Sequence, residues 1–457
     1  MAIQAFLQVG LSFAEVGLFE NQALKVRRRF YLPQEPLGAS LKKFWQENGR
    51  PENLTVSSRY LEKILDAKLG GTVAQIVTAG FETWPILRQP ILPAHFDLRP
   101  YRQEALASKD LIFGLSERIS SAGEIMKPLQ ISDLEILNEK LKALSVKRVC
   151  INLVFANLNP EHQQRAAQYF KEQGYEVFAS PRNENSLDEM PAWRKNVINA
   201  CLSGAFQEHA EDLGKSFESE PVEFSFLSDQ LENFLADKNQ IVGSLFAWVT
   251  ALEKSFQKSA THILYLGLED WHLISMKERS AYWHSPWGQI ESETVKSVKL
   301  NIQPTLEMTT GFFGGVSFSR HELGFEPGPL CFGRALKPTV FDLLNYEFKL
   351  PLTQIQEKGV ARLKDQFSAL IKNVPELDKF SSEKLTKLLR EQVVSRVVTE
   401  SQFLADAPIE NLVVTGFFAP TLFASIEKKW TGKAIHLDPQ AQDRELLSLH
   451  NSKGSIV

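Results

Sequence analysis

Cysteine is scarce: the 457 residues contain three, at Cys150, Cys201 and Cys331. They are far apart and odd in number, so no disulfide framework and no CxxC metal site follows. Cys150, inside VCINLVF, reads as a small buried hydrophobe, and a reducing compartment fits all three. No stretch approaches 18 uncharged apolar residues, which excludes a helical membrane span. The opening MAIQAFLQVGLSFAEV lacks the charged start and long apolar centre of a secretory signal. A soluble, cytoplasmic protein is therefore expected. An excess of either charge is also missing, with 51 Lys plus Arg against 55 Asp plus Glu. That balance argues against a large nucleic-acid footprint, which needs a basic face. The densest basic run, Arg27-Arg28-Arg29, sits in an apolar frame. Methionine (5) and tyrosine (8) are few, whereas phenylalanine (31) is plentiful, which supplies core material without naming a chemistry. At 43% hydrophobic and 23% charged, the chain is a globular one. Its length allows two to four domains.

Pattern along the chain gives more. Residues 3–9, 13–19 and 23–31 are predicted as strands, joined by Gly10-Leu11-Ser12 and Glu20-Asn21. Helices are predicted over 37–47 and 57–69, and a buried strand over 74–78. Residues 149–155, 160–173 and 175–179 form a β-α-β unit, with Pro160 at the helix start and Gly174 at its end. A long helix over 189–215 reads as a connector. Residues 224–234 fit helix or strand, and 242–257 a helix. The segment 262–283 then repeats the opening: strand, Gly267-Leu268-Glu269, strand, a turn at Lys277-Glu278, and a strand over 280–283. Gly10 matches Gly267 and Leu11 matches Leu268. A duplicated opening of three strands predicts two related lobes with a ligand cleft between them. Glycine-rich loops follow at 311–315 and 416–420. The last seven or so residues read as frayed.

Several ordered segments carry a resemblance. TAGFETWPILRQ (78–89), RISSAGEIMKPL (118–129), VCINLVFANLNPEHQQRAA (149–167), EPGPLCFGRALKPTVFDLL (326–344) and NLVVTGFFAPTLFASI (411–426) resemble segments of the hydantoinase A/5-oxoprolinase family. The fourth is similar to its DPGPxCYGRGGxxPTVTDA motif. The resemblance implies an α/β, two-lobed actin-like ATPase fold built from duplicated ribonuclease H-like domains. It places an N-terminal lobe over 1–210 and a second lobe over 211–457. It implies ATP and Mg²⁺ as cofactors, and either ATP-driven opening of cyclic amides such as hydantoins or 5-oxoproline, or carboxylation in related complexes. A B-type subunit, or a second copy of the chain, is the implied partner, with no nucleic acid and no membrane.

The departures fall where phosphate and metal would be held. The family's DxGGTFTD aligns with Gln8, Gly10, Leu11, Ser12, Phe13, Ala14 and Glu15. Its DxGGTSTD aligns with Tyr265, Gly267, Leu268, Glu269, Asp270, Trp271 and His272. Its HGTT falls near residues 56–59, without the histidine. Gln8 cannot neutralise a cation, Leu11 puts a branched apolar side chain in the phosphate path, and Glu269 repels phosphate. Phe312, Phe313, Phe417 and Phe418 fill glycine loops where small residues are usual. The remnant nucleotide cleft comprises Gly10, Ser12, Glu15, Gly267, Gly314, Gly315 and Gly416. Both hairpins read as structural turns, Glu269, Asp270 and His272 as a solvated turn, Arg334 as the partner of Asp342, and no metal site emerges. A binding or assembly component without normal ATP hydrolysis is expected. The alternatives are an ATP-dependent cyclic-amide hydrolase with a rearranged site around Glu15, Glu269 or Asp270, and a small-molecule sensor.

Overall fold

The computed structural model describes residues 3–66, 70–86, 108–179, 189–217, 222–235, 240–285, 288–310, 316–319, 329–333, 337–373, 381–405 and 407–454. The chain begins with β1 (Gln4–Val9), β2 (Phe13–Glu20), β3 (Ala23–Tyr31), α1 (Leu37–Asn48), β4 (Asn53–Ser58) and α2 (Tyr60–Asp66). β1 and β2 are antiparallel, as are β2 and β3, while β4 lies parallel to β1. Almost every residue of β1, β2 and β4 is buried. Such near-continuous apolar runs suit central strands covered on both faces. The helix expected from residue 57 starts at Tyr60, because Thr55, Val56 and Ser57 are drawn into β4 between β1 and a later strand.

A smaller unit follows. It comprises β5 (Val73–Thr78), β6 (Ile112–Leu115), β7 (Arg118–Ile119), β8 (Ile125–Lys127), α3 (Ile131–Ala143), β9 (Arg148–Asn152), α4 (Glu161–Glu172) and β10 (Glu176–Ala179). Its sheet, ordered β10-β9-β5-β6, is parallel throughout. One buried network ties its loops together. The Thr78 hydroxyl donates to Glu117 at 2.5 Å, His162 Nδ1 bonds the other Glu117 oxygen at 2.7 Å, and the Leu129 N–H donates to His162 Nε2 at 3.3 Å. Three of the segments that resemble the family therefore meet at one fully enclosed carboxylate. α5 (Met190–Lys215) lies between this unit and the first sheet. Val197, Ala200 and Cys201 face the small sheet, and Ile198, Leu202 and Phe206 face the large one. A helix buried on two sides carries no single apolar stripe.

Residues 224–234 resolve into β11 (Glu223–Leu227) and β12 (Asn233–Phe234), followed by α6 (Ile241–Ser244) and α7 (Ala247–Phe256). β11 pairs parallel to β4, so the first sheet reads β12-β11-β4-β1-β2-β3 and draws two strands from beyond residue 210. The second half supplies β13 (His262–Leu266), β14 (Trp271–Ser285), β15 (Gly288–Lys299), β16 (Glu307–Thr310), β17 (Val316–Ser319), α8 (Val340–Phe348), α9 (Glu357–Asn373), α10 (Ser382–Leu404), β18 (Asn411–Thr415), α11 (Ala419–Lys429), β19 (Ala434–Leu437) and α12 (Arg444–Gly454). Its main sheet is β15-β14-β13-β18-β19. β14 and β15 join antiparallel, and β18 and β19 are parallel to β13.

Both large sheets thus share a five-strand order third-second-first-fourth-fifth, antiparallel through the opening and parallel after it, and the first sheet adds β12 antiparallel to β11. This is the duplicated ribonuclease H-like arrangement of a two-lobed actin-like α/β fold.

Two sequence expectations change. Lys277-Glu278 is not a turn: β14 runs through it, and the ladder with β15 slips between Ile274 and Arg279 and again between Arg279 and Ala281. The charged pair lies at an irregularity of a long strand, so the third strand comes later, at 288–299. The chain end is helical through Gly454, because Leu446 and Leu449 bury against Phe6, Phe19 and α7. Among the described residues, no helix is long and apolar enough to cross a membrane.

Asp342 shows how the EPGP segment is used. It is fully buried and accepts the N–H groups of Leu330 (2.9 Å), Cys331 (2.7 Å) and Thr339 (2.9 Å), and the Thr339 hydroxyl (2.9 Å). With Thr339 it forms the capping box of α8. Arg334, expected from the sequence as its partner, lies outside the described residues. Removing the carboxylate leaves several buried donors unmatched. Asp342→Ala should lower unfolding free energy by about 3 kcal/mol or more in urea titrations.

Candidate functional site

The β1–β2 and β13–β14 turns face one another. In the first, the Gly10 N–H donates to the Phe13 carbonyl at 2.8 Å. That closure aims the Leu11 and Ser12 N–H groups into the gap, as in an anion-binding nest. In the second, the Gly267 N–H donates to the Asp270 carbonyl at 3.1 Å, which projects Glu269 across the gap. Glu269 Oε2 accepts the Leu11 N–H at 2.6 Å, and Oε1 accepts the N–H groups of Ser12 (2.5 Å) and Phe13. The two turns read from sequence as independent structures are therefore partners. A Cβ at position 10 would lie 2.6 Å from Glu269 Oε2, so a larger residue there would have to displace that carboxylate.

Asp270 makes the neighbouring contact. Arg59, just beyond β4, grips its carboxylate with both terminal nitrogens at 3.1 and 2.6 Å. The same guanidinium holds Glu62 at 2.9 Å twice and lies 4.9 Å from the Trp248 ring centre. His272 Nε2 approaches Asp270 Oδ2 at 3.2 Å. Burial alone would raise the Asp270 pKa, but the charge of Arg59, then His272 and Lys299, holds it well below the usual range. Glu269, Asp270 and His272 are all buried, so the solvated turn expected here is instead an enclosed ionic cluster. The single residue letters 269–272 look like a charged loop; the opposing Arg59 and the backbone donors of residues 11–13 make its burial possible.

A cavity of about 50 Å³ adjoins these contacts, enough for a few waters. Gln8, Glu15, Arg29, Phe417 and Glu445 line its far side. Glu15 sits opposite Arg29 across the β2–β3 ladder and pairs with it at 2.8 Å, with Arg27 at 3.5 Å. Burial raises the Glu15 pKa against the pull of both arginines. Arg29 also lies 4.9 Å from the Phe417 ring centre, and Arg27 and Arg29 both donate to the Gln442 carbonyl. Two members of the Arg27-Arg28-Arg29 run are thus bound internally. The Tyr265 hydroxyl donates to Glu445. Burial and the charge of Glu15 raise Glu445 to about 7. Burial, followed by the charge of Asp270, raises Glu269 to about 7, against Arg59 and the N–H donors of residues 11 and 12.

The structure places the sequence candidates unevenly. Gly10, Ser12, Glu15 and Gly267 lie at or beside the facing turns. Gly416 has φ of 98° and passes so close to β13 that a Cβ would lie 2.6 Å from the Leu266 carbonyl oxygen; its job here is backbone packing. Phe418 is fully buried beside Trp271 and Phe341, while Phe417 lines the cavity. Gly314 and Gly315, with Phe312 and Phe313, lie outside the described residues. Sequence reasoning missed Arg59, Glu62, Arg29 and Glu445. The Arg59-x-x-Glu62 spacing at a helix start was a usable signal; Glu445 offered none, since only the return of α12 brings it here. Among the described residues, no group of three or more His, Cys, Asp or Glu is arranged to hold a metal ion. Mg-ATP, which the fold implies, does not fit this arrangement, because a carboxylate already fills the N–H cradle.

Two expectations can be measured. Arg59→Met should cost about 3–5 kcal/mol in urea unfolding, because Asp270 and Glu62 would be left buried without their cation. Glu445 holds its proton in the folded chain to about pH 7, whereas the ordinary value is 4.5. Its stabilisation is complete below pH 4.5 and is lost as pH rises through 7, by up to about 3 kcal/mol. Unfolding free energy should therefore fall between about pH 4.5 and 7, and Glu445→Gln should flatten that slope.

Comparison with known proteins agrees with this geometry. Residues 60–174 match the hydantoinase/oxoprolinase N-terminal region. The chain is 29% identical over 120 residues to the acetophenone carboxylase gamma subunit of Aromatoleum aromaticum, an alignment that covers 25% of this chain and 16% of that subunit. Two solved structures share the fold over 98% of this chain and 70% of their own. They are the ATP-dependent caprolactamase from Pseudomonas jessenii (16% identity, TM-score 0.70) and nucleotide-free acetone carboxylase (12% identity, TM-score 0.75). Residues 60–174 thus resemble the hydantoinase/oxoprolinase N-terminal region, and the fold over nearly the whole chain is shared with those two solved structures.

Proposed function

We propose that this chain is a divergent hydantoinase/oxoprolinase-like component that binds or assembles and does not hydrolyse ATP by the family route. The observation that carries this reading is the Glu269 carboxylate seated on the N–H groups of Leu11, Ser12 and Phe13. Those donors, in a nucleotide-binding relative, would face phosphate oxygens. A carboxylate there repels phosphate and removes the electrostatic stabilisation on which phosphoryl transfer depends. Gly10, Ser12, Glu15, Gly267 and Gly416, with Gly314 and Gly315, are proposed as the remnant of that cleft.

The proposed organisation has a first lobe over 1–210 and a second over 211–457, with strands exchanged into the first sheet from beyond the boundary. A B-type subunit or a second copy of this chain is the proposed partner, in a soluble cytoplasmic setting. The relative with the matching 120 residues is itself named a subunit.

Calorimetric titration with Mg-ATP tests the reading. No binding is expected at about 1 mM nucleotide. A Kd below about 0.1 mM, abolished by Glu15→Gln, would instead support ATP-dependent hydrolysis of a cyclic amide.

A further inference from the structure

We propose that the N–H groups of Leu11, Ser12 and Phe13 form an oxyanion site whose resident ligand is the chain's own Glu269, and that a small external oxyanion enters only by displacing it. The inference rests on the cleft described under the proposed function and adds a built-in latch to it.

Three consecutive backbone donors converge on one carboxylate, two of them at 2.6 and 2.5 Å. Convergence of this kind belongs to an anion site, because charge-assisted bonds to successive N–H groups are short and strong. The Ser12 N–H is enclosed and the Leu11 N–H half-enclosed, so loss of the carboxylate removes an acceptor that water replaces only in part. Gly10 leaves the room that the carboxylate occupies. The duplication supplies the geometry. Gly10 and Gly267 hold equivalent places in the two turns, so Glu269 occupies the position that Ser12 holds in the first. The exchange runs one way, from the second turn into the first. Asp270 beside Glu269 is committed to Arg59 at 2.6 and 3.1 Å, so the adjacent cation is already matched. Because the two turns belong to different sheets, the contact joins the lobes. The adjoining cavity of about 50 Å³ gives a displaced side chain space beside the site.

The full chain carrying Glu269→Ala provides the test. Its melting temperature is measured against sodium acetate and, separately, inorganic phosphate, with chloride at matched ionic strength as control. The variant should melt below the parent and regain at least about 2 °C in a saturable way, while the parent does not respond. Acetate would replace the lost carboxylate; phosphate would report the wider oxyanion class. A folded variant that responds to neither overturns the proposal.

Gly10→Ala gives a second measurement should Glu269→Ala fold poorly. It should lower the melting temperature strongly in the parent and much less in a chain that also carries Glu269→Gln or Glu269→Ala, because the clash is with the carboxylate. Equal losses in both backgrounds would also overturn it. Mg-ATP binding by the unaltered chain would defeat the proposed function while leaving the acetate rescue to decide this inference separately.

Discussion

The contact between Glu269 and the β1–β2 turn couples two requirements that neither lobe meets alone. Backbone N–H groups in a tight enclosed turn need acceptors, and a buried carboxylate needs several donors. Each satisfies the other across the cleft, and Arg59 does the same for Asp270 one residue further on. Two adjacent acids from the second lobe therefore reach two different kinds of partner in the first: main-chain donors and a guanidinium. Trp248 lies against Arg59 and Phe417 against Arg29.

The arrangement follows from duplication. Two sheets of the same strand order place equivalent turns face to face, the geometry in which a two-lobed ATPase closes on phosphate. Here the shared frame is retained while the substance between the turns is protein. Glu269, Glu15, Asp270 and Glu445 bring four carboxylates to the cleft, and Arg29 and Arg59 balance them. Strong buried pairs of this type make removal of one partner costly even where the pair itself adds little net stability. The cleft is consequently expected to behave as a connected unit, in which proton binding, lobe contact and anion binding influence one another.

Much of the fold was legible. The opening strands, the β-α-β unit at 148–179, α5 and the repeat at 262 all follow from apolar periodicity and glycine punctuation. The errors have local causes. Lys277-Glu278 resembles a turn by composition, but pairing with β15 carries the strand through it. Ser57-Ser58 resemble a helix start because serines cap helices, but they belong to β4, which β1 and β11 flank on both sides. The last seven residues looked frayed because they carry few apolar side chains, but α12 extends through Gly454, anchored upstream where Leu446 and Leu449 meet Phe6 and Phe19.

The sequence by itself determined the two-lobed α/β frame, the family resemblance, the loss of charge at Gln8 and Tyr265, and the presence of acids at 269 and 270. It did so because strand periodicity, turn glycines and motif letters are local properties. Only the tertiary structure decided what those acids do. Glu269 and Leu11 are separated by 258 positions, and no local rule relates them. Their meeting depends on the mutual packing of two duplicated sheets, which turns a charged loop into the ligand of the opposite turn.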